Sequence, residues 1–344
     1  MKGRSVISNF DNGSSTKVAA TGVPVIDISG FLLDSEERDA VIADVRAACE
    51  RVGFFVITDH GVSIDLVSRM YGITHQFFRQ SAEVKAQSAS PTGYKFRGFS
   101  QRLAATANGM RPVAEAFEVG RFDDAAAILS ARYDLRWTED YEANVWPATP
   151  EGFPNVWMEY YEAMADLAAR LMNLLAAALE LPVDWFADKF DRHVSYMAAN
   201  HYLEQPYAPS EGEFRRAAHT DTGSLTILYQ DGAPGGLQVC DRDGRWSDVP
   251  AVPESFVINL GDLLAKWTND RWVATEHRVI NPSRDFAATD RISIPYFQHP
   301  NFDAIIECIP SCTSEDDPPR YAPVLAGDWS KYRETKEPSG AAAR

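Results

Sequence analysis

The feature that most constrains the fold is a series of short apolar segments after Phe190, separated by the Gly, Pro, Asp and Asn residues typical of turns. Strands this short and closely spaced are typical of a β-sandwich or barrel, whereas βαβ units need a helix between strands. We therefore predict a β-barrel in this part of the chain. The candidate strands are Tyr196–Tyr202, Ser224–Tyr229, Leu237–Cys240, Ser255–Leu260, Thr275–Ile280 and Arg291–Phe297.

The preceding part of the chain shows helical spacing instead. Apolar residues recur three or four positions apart in Ser35–Arg51, and a further helix is predicted over Ile64–Gln80. The clearest helix lies between Pro154 and Pro182, where a single apolar stripe predicts one buried face. This part also contains two short strand candidates, Val23–Ile28 and Phe54–Ile57.

No linker or change of composition divides the helical part from the predicted barrel. We therefore predict one domain of the α+β class with a mainly β core, in which an N-terminal helical layer supports the barrel. The expected segments are a flexible leader over 1–20, a single domain over 21–330 with its helical part at about 21–190 and its barrel core at about 191–310, and a loose C-terminal tail over 331–344.

The formal net charge of −16 makes nucleic acids and anionic membranes poor partners, because both carry negative charge themselves. No apolar run reaches the roughly 18–20 residues that span a bilayer. The four cysteines form no CxxC pair, and the N-terminal residues lack the apolar core of a secretory signal. We therefore expect a cytoplasmic protein without a disulfide framework.

A candidate metal site begins with His219-Thr220-Asp221. Residues two apart on an extended strand point to the same face, so this imidazole and this carboxylate can reach one ion. A third ligand should come from a distant strand, and His277 lies on such a candidate. Two imidazoles and one carboxylate on one side of a metal form the facial triad of non-haem iron oxygenases, which leaves coordination positions open.

A second set of residues has the same alternating spacing. Arg291 and Ser293 share a strand face, and together a guanidinium and a hydroxyl can bind a carboxylate. Asn200 and Tyr202 repeat the spacing on an earlier strand, where an amide and a phenol could contact the same ligand. His201 lies between them and should point away, so we interpret it as structural.

These residues belong to a series of motifs whose order covers most of the chain. The motifs are Pro24-Val25-Ile26-Asp27, Gly53-Phe54-Phe55-Val56-Ile57-Thr58-Asp59-His60-Gly61, Glu115-Ala116-Phe117-Glu118-Val119-Gly120, His219-Thr220-Asp221, Asn259-Leu260-Gly261-Asp262, His277-Arg278-Val279 and Arg291-Ile292-Ser293. In this order they resemble the isopenicillin N synthase-like family of iron(II)/2-oxoglutarate-dependent dioxygenases.

The resemblance implies a double-stranded β-helix, which is a distorted jelly-roll barrel, with iron(II) inside one end. It assigns Arg291 and Ser293 to the distal carboxylate of the co-substrate 2-oxoglutarate, with Asn200 and Tyr202 lining the same pocket. His60 is not a ligand in this family, so its expected role is packing or a turn hydrogen bond. The third reactant implied by the resemblance is O2.

The expected reaction is hydroxylation of a small organic molecule, with desaturation or cyclisation as variants and with release of succinate and carbon dioxide. An alternative is an iron oxidase of the same fold that does not use 2-oxoglutarate, because such relatives can retain the Arg-x-Ser pair. Asn200 and Tyr202 favour the 2-oxoglutarate interpretation. A non-catalytic jelly-roll binding protein would be expected to lose an iron ligand, and a zinc hydrolase would leave the Arg-Ser pair unexplained.

Substrate contacts are expected in Gly93–Gly98, which stands where family members often line the cavity. Tyr94 or Phe96 could pack against a flat or apolar substrate, and Arg97 could pair with a carboxylate. The alternative is a loop closed by two glycines, with charges that face solvent. Phe297 is a further candidate for the cavity wall, with a place in the core as its alternative.

Overall fold

The computed structural model describes residues 17–18, 22–91, 96–106, 109–122, 133–134, 142–205 and 213–336. Its helices are α1 (Ser29–Leu32), α2 (Arg38–Arg51), α3 (Ile64–Phe78), α4 (Ala82–Ala86), α5 (Phe153–Ala178), α6 (Ala187–Phe190), α7 (Asp262–Trp267) and α8 (Ala326–Lys336). Its strands are β1 (Lys17–Val18), β2 (Pro24–Asp27), β3 (Phe54–Thr58), β4 (Gly98–Thr106), β5 (Gly109–Gly120), β6 (Tyr196–Tyr202), β7 (Arg216–His219), β8 (Leu225–Gln230), β9 (Leu237–Cys240), β10 (Trp246–Asp248), β11 (Phe256–Leu260), β12 (His277–Val279), β13 (Arg291–Gln298), β14 (Ile305–Ile306) and β15 (Val324–Leu325).

Two sheets form the barrel. The major sheet has the strand order β1-β2-β3-β11-β8-β13-β6-β5-β4, and the minor sheet has the order β10-β9-β12-β7. Leu228 and Val257 of the major sheet are buried in one cluster with Val239 and Val279 of the minor sheet, so the two sheets pack face to face. The jelly-roll prediction is therefore confirmed, and each predicted barrel strand is present within two residues at either end.

The outer face of the major sheet packs against the helices. Helix α5 begins at Phe153, with Pro154 in its first turn, where the ring presets the helical φ and no hydrogen bond is lost. Its buried stripe lies in the same core as Ile227 and Ile292 of the sheet. The helical layer is thus present as predicted. None of the described helices, including the 26-residue α5, combines the length and apolar character needed to cross a membrane.

The part that we expected to be helical also supplies strands to the sheet. Strands β4 and β5 form a hairpin that pairs with β6, so no structural boundary separates the parts before and after residue 190. The periodicity did not reveal β4 because its sequence, GFSQRLAAT, carries small and polar residues on both faces and has little of the β-branched character of typical strands. Within the leader, Lys17 and Val18 pair with Val25 and Pro24.

The expectation of a loose tail from residue 331 is wrong for 331–336, because α8 continues to Lys336. This helix is held in place by tertiary contacts, which the local sequence does not reveal. The indole Nε1 of Trp329 donates to the carbonyl of Thr222 over 3.2 Å, and Arg333 forms an ion pair of 3.1 Å with Asp262. Residues 337–344 lie outside the described residues.

Leu171→Ala should lower the free energy of unfolding by about 2–5 kcal/mol, because it opens a cavity beneath α5 at a side chain that is 1% exposed. Urea denaturation measures this loss. Leu33→Ala is the matched control, since Leu33 is 78% exposed and its truncation should change stability by less than about 0.5 kcal/mol. Equal losses in both variants would contradict the packing of α5.

Candidate active site

The two sheets bring three predicted ligands together inside the barrel. His219 ends β7 and faces His277, the first residue of β12, as its partner in the antiparallel ladder. Asp221 lies in the turn just beyond β7 rather than on the strand. Its Oδ1 is 3.8 Å from Nε2 of His219 and 3.7 Å from Nε2 of His277. The side chains of Asp221 and His277 are 9% exposed, whereas that of His219 is 22% exposed.

Both imidazoles are oriented by backbone carbonyls. Nδ1 of His219 donates to the carbonyl of Ala217 over 2.9 Å, and Nδ1 of His277 donates to the carbonyl of Thr275 over 3.2 Å. Each Nε2 therefore directs a lone pair towards Asp221. Burial, with the adjacent His277, lowers the pKa of His219 to about 3, so this ring is neutral near pH 7, as metal binding requires.

The carboxylate of Asp221 is held by one oxygen only. Its Oδ2 accepts hydrogen bonds from the Thr226 hydroxyl and from Nδ2 of Asn259, the latter over 2.7 Å, which leaves Oδ1 towards the imidazoles. Burial alone would raise the pKa of Asp221, but His277, His219 and these hydrogen bonds together lower it below its ordinary value. The carboxylate is thus ionised and oriented as a ligand should be.

The donor set fits iron(II). The potential ligand atoms of His219, Asp221 and His277 all lie within 4.8 Å of one another. Two imidazoles and one carboxylate form the set that non-haem iron(II) takes in a facial arrangement. They would occupy three coordination positions of the metal and leave the others for further ligands.

Arg291 is the feature that fits a carboxylate ligand. It is 2% exposed, and its Nη2 donates to Oε1 of Gln230 over 3.2 Å. Its Nη1 is also buried but has no hydrogen-bond partner in the described part of the chain. Such an unsatisfied donor costs about 1–3 kcal/mol, more when charged, so the position suits an anionic ligand. Tyr202 and Ser293 flank it: Tyr202 pairs with Arg291 in register, and its ring centre lies 5.6 Å from the guanidinium.

Asn200 pairs with Ser293 in register, so the four residues predicted for 2-oxoglutarate lie on one inner face of β6 and β13. His201 points to the opposite face, as expected, where Nε2 lies 2.9 Å from Asp290 and Nδ1 lies 3.3 Å from Glu115. Glu115 also accepts from buried Lys85 over 2.6 Å. A network of charged groups thus lies directly behind the pocket.

His60 has the role expected of a structural residue. Its Nδ1 accepts a hydrogen bond from the backbone N–H of Val62 over 3.1 Å, which closes a turn. Its ring packs against Phe256 with the ring centres 4.4 Å apart.

The residues that we expected to contact the substrate differ in their surroundings. Tyr94 lies outside the described residues. Phe96 packs against Tyr196 at 5.2 Å, and Tyr196 stacks on Phe297 at 4.7 Å. Phe297 is half-buried and lies on the same face of β13 as Arg291 and Ser293. Arg97 is 3% exposed, so the alternative of a solvent-facing charge is wrong for this residue; it donates to the carbonyls of Phe96 and Glu142.

Sequence reasoning missed the residues that orient the ligands. Asn259 belongs to the motif Asn259-Leu260-Gly261-Asp262, for which we predicted no function. Thr226 is its partner on the neighbouring strand and lies on the same inner face. Gln230, the partner of Arg291, ends β8. Alternation along β8 and β11 could have placed these polar side chains inside the barrel, since their neighbours Ile227 and Ile258 are apolar.

Two family models and several known proteins match the chain. Residues 23–149 match the family described as the non-haem dioxygenase in morphine synthesis N-terminal region, and residues 194–300 match the 2OG-Fe(II) oxygenase superfamily. The 2-oxoglutarate-Fe(II) type oxidoreductase hxnY of Emericella nidulans is 33% identical over 319 residues, covering 90% of this chain and 89% of that protein. Homoarginine-6-hydroxylase 2-ODD-C23.1 of Arabidopsis thaliana is 29% identical, covering 84% of this chain and 88% of its own.

A solved structure shares the fold. A full-length Neurospora crassa protein, crystallised in complex with alpha-KG and thymine, superposes with a TM-score of 0.78 at 25% identity, covering 93% of this chain and 98% of that one. A jelly roll with a facial set of two histidines and one aspartate defines the class of non-haem iron oxygenases. Within that class, the chain belongs to the 2OG-Fe(II) oxygenase superfamily. It is an oxidoreductase that uses Fe(II), 2-oxoglutarate and O2.

Gly261→Ala should disturb the turn that carries Asp221, because an added Cβ would lie 2.2 Å from the carbonyl oxygen of Gly223 and 3.0 Å from that of Asp221. We expect a loss of about 1–3 kcal/mol in the free energy of unfolding and weaker metal binding, measured by urea denaturation and metal titration. Gly72→Ala in α3 is the control, since its Cβ meets nothing within 4 Å and should stabilise the helix. Unchanged metal affinity in Gly261→Ala would contradict this role of the turn.

Proposed function

We propose that His219, Asp221 and His277 hold the Fe(II), and that Arg291 and Ser293 bind the distal carboxylate of 2-oxoglutarate. The observation that carries the proposal is the buried, unpartnered Nη1 of Arg291, which lies in the same barrel interior as the convergent donor set. A charge-assisted hydrogen bond from this nitrogen to a carboxylate would satisfy it. In an oxidase that does not use 2-oxoglutarate, this nitrogen would need a different anion, such as a carboxylate of the substrate, as its partner.

When bound, Fe(II) with 2-oxoglutarate and O2 supplies the oxidising chemistry that hydroxylates, desaturates or cyclises a substrate, with release of succinate and carbon dioxide. The chain's own residues hold and orient the reactants. Thr226 and Asn259 keep one oxygen of Asp221 fixed, so that the other is presented to the metal. The planar guanidinium of Arg291 orients 2-oxoglutarate, because its nitrogens match the two oxygens of a carboxylate.

Asn200 and Tyr202 complete the pocket in this proposal. Tyr202 is buried beneath two guanidinium groups, those of Arg215 and Arg291, whose centres lie 5.9 and 5.6 Å from its ring. Its ring therefore limits the positions that the Arg291 side chain can take. The apolar residues Leu228 and Val257 extend the wall of the barrel and exclude water from the interior.

The primary substrate is a small organic molecule in this proposal. The relatives support this size class: one is described as a hydroxylase of homoarginine, and the Neurospora crassa protein was crystallised with thymine or 5-formyluracil. A formal net charge of −16 argues against nucleic acids and anionic membranes as partners. The cytoplasm is the compartment that we propose, since all four cysteines are free thiols, as is usual in a reducing compartment.

Arg291→Ala should weaken 2-oxoglutarate binding by about 1.5–3 kcal/mol, which corresponds to roughly 10- to 150-fold, because it removes a charged partner of the carboxylate. The measurement is an anaerobic titration of the Fe(II) protein, followed through the visible charge-transfer band of chelated 2-oxoglutarate. Arg245→Ala is a control at an exposed hairpin and should bind normally. Unchanged affinity in Arg291→Ala would overturn its role, and no band in the iron-loaded wild type would favour the oxidase.

His219→Ala and Asp221→Ala should each abolish iron-dependent succinate release while the circular dichroism spectrum stays native, because each removes one of only three ligands. His75→Ala, on the half-buried face of α3 beside Tyr71, is the control and should keep its activity. Full activity in either ligand variant would refute the assignment of the metal site.

A further inference from the structure

Arg102 is a second guanidinium with a buried nitrogen that lacks a partner. It lies on β4, and its register partner Ala114 on β5 pairs in turn with Tyr202 on β6, so it shares the inner face of the sheet with the proposed 2-oxoglutarate residues. Its side chain reaches across β5, where Ala114 and Ala116 are small, and its Nη2 donates to Oδ1 of Asn200 over 2.7 Å. Its Nη1 is buried without a hydrogen-bond partner among the described residues.

Positive charge accumulates around Arg102. Arg216, on β7 of the opposing sheet, is close enough to act with burial in lowering the pKa of Arg102. Glu118 lies on the same inner face as Ala116, two positions along β5. Burial raises the pKa of Glu118 to about 7, although Arg102, Arg97 and Arg216 all act in the opposite direction. Near neutral pH this carboxyl group therefore offsets only part of the surrounding positive charge.

An aromatic wall lies along the same interior. Tyr196 stacks on Phe297 and makes a tilted ring contact with Phe96, and all three side chains are half-buried. Tyr196 lies on β6, six positions before Tyr202, on the same inner face. The inner face of the sheet thus offers an unsatisfied cationic donor at Arg102 and aromatic surface further along β6 and β13.

We propose that Nη1 of Arg102 binds a carboxylate of the primary substrate, and that this substrate is a small organic acid whose flat or apolar body packs against Phe96, Tyr196 and Phe297. This inference rests on the proposed function, since it takes Arg291 and Ser293 as the residues that bind 2-oxoglutarate. Arg102 is then a specificity-determining residue, and its bond to Asn200 connects the substrate's carboxylate to the edge of the 2-oxoglutarate pocket. A charged donor left unpaired by a neutral analogue would discriminate strongly against it.

The test compares acids with their primary amides. The protein is first loaded with Fe(II) and saturating 2-oxoglutarate, so that the 2-oxoglutarate site is already filled. Anaerobic calorimetry then measures the binding of benzoate, phenylacetate and indole-3-acetate and of the three corresponding amides. We expect at least one acid to bind at least about tenfold more tightly than its amide and to stimulate succinate release. Arg102→Gln keeps an amide to contact Asn200 but removes the charge, so it should abolish this preference.

Arg245→Gln is the matched control and should keep the preference, and Arg102→Lys should keep part of it. Three outcomes would overturn the proposal: no acid preferred over its amide by the wild type, an intact preference in Arg102→Gln, or a loss of 2-oxoglutarate affinity in Arg102→Gln with acid binding unchanged. The last outcome would assign Arg102 to a carboxylate of 2-oxoglutarate itself. Failure of the wild type to bind 2-oxoglutarate would instead contradict the proposed function, and it is measured separately in the first titration.

Discussion

The rest of the site depends on the Asp221 carboxylate, whose two oxygens have different partners. One oxygen is fixed by Thr226 of β8 and Asn259 of β11, and the other faces two histidines from the opposite sheet. This geometry exists only while the two sheets are packed face to face. The apolar core of the barrel is therefore also what holds the metal ligands in register, and stability and metal affinity should respond together to changes in that core.

Much of this arrangement could be predicted from the sequence. Short apolar segments between turn residues located the barrel strands within two residues, and His219, Asp221 and His277 were identified as a donor set that the fold brings together. Alternation also separated His201 from Asn200 and Tyr202. These features could be predicted because apolar segments, turn residues and the alternation of side chains along a strand are local properties of the sequence.

The failures arise where structure depends on distant contacts. The β4–β5 hairpin lacks a local strand pattern and is stabilised by pairing with β6, while α8 is held by Trp329 and Arg333 against the Asp221 turn and α7. Arg102 escaped notice because its importance comes from two neighbours far away in the chain, Asn200 and Arg216. Local periodicity carries no information about such pairings, which tertiary structure alone determines.

The two faces of β6 carry different kinds of polar side chain. Asn200 and Tyr202 face the cavity, while His201 joins Glu115 and Asp290 on the outer side, where Lys85 completes a network of charges. A slip of β6 by one residue would move the imidazole into the barrel interior and leave the buried carboxylate of Glu115 beside an amide or a phenol. The contacts of His201 with Glu115 and Asp290 therefore favour the one register of β6 in which Asn200 and Tyr202 face the interior of the barrel.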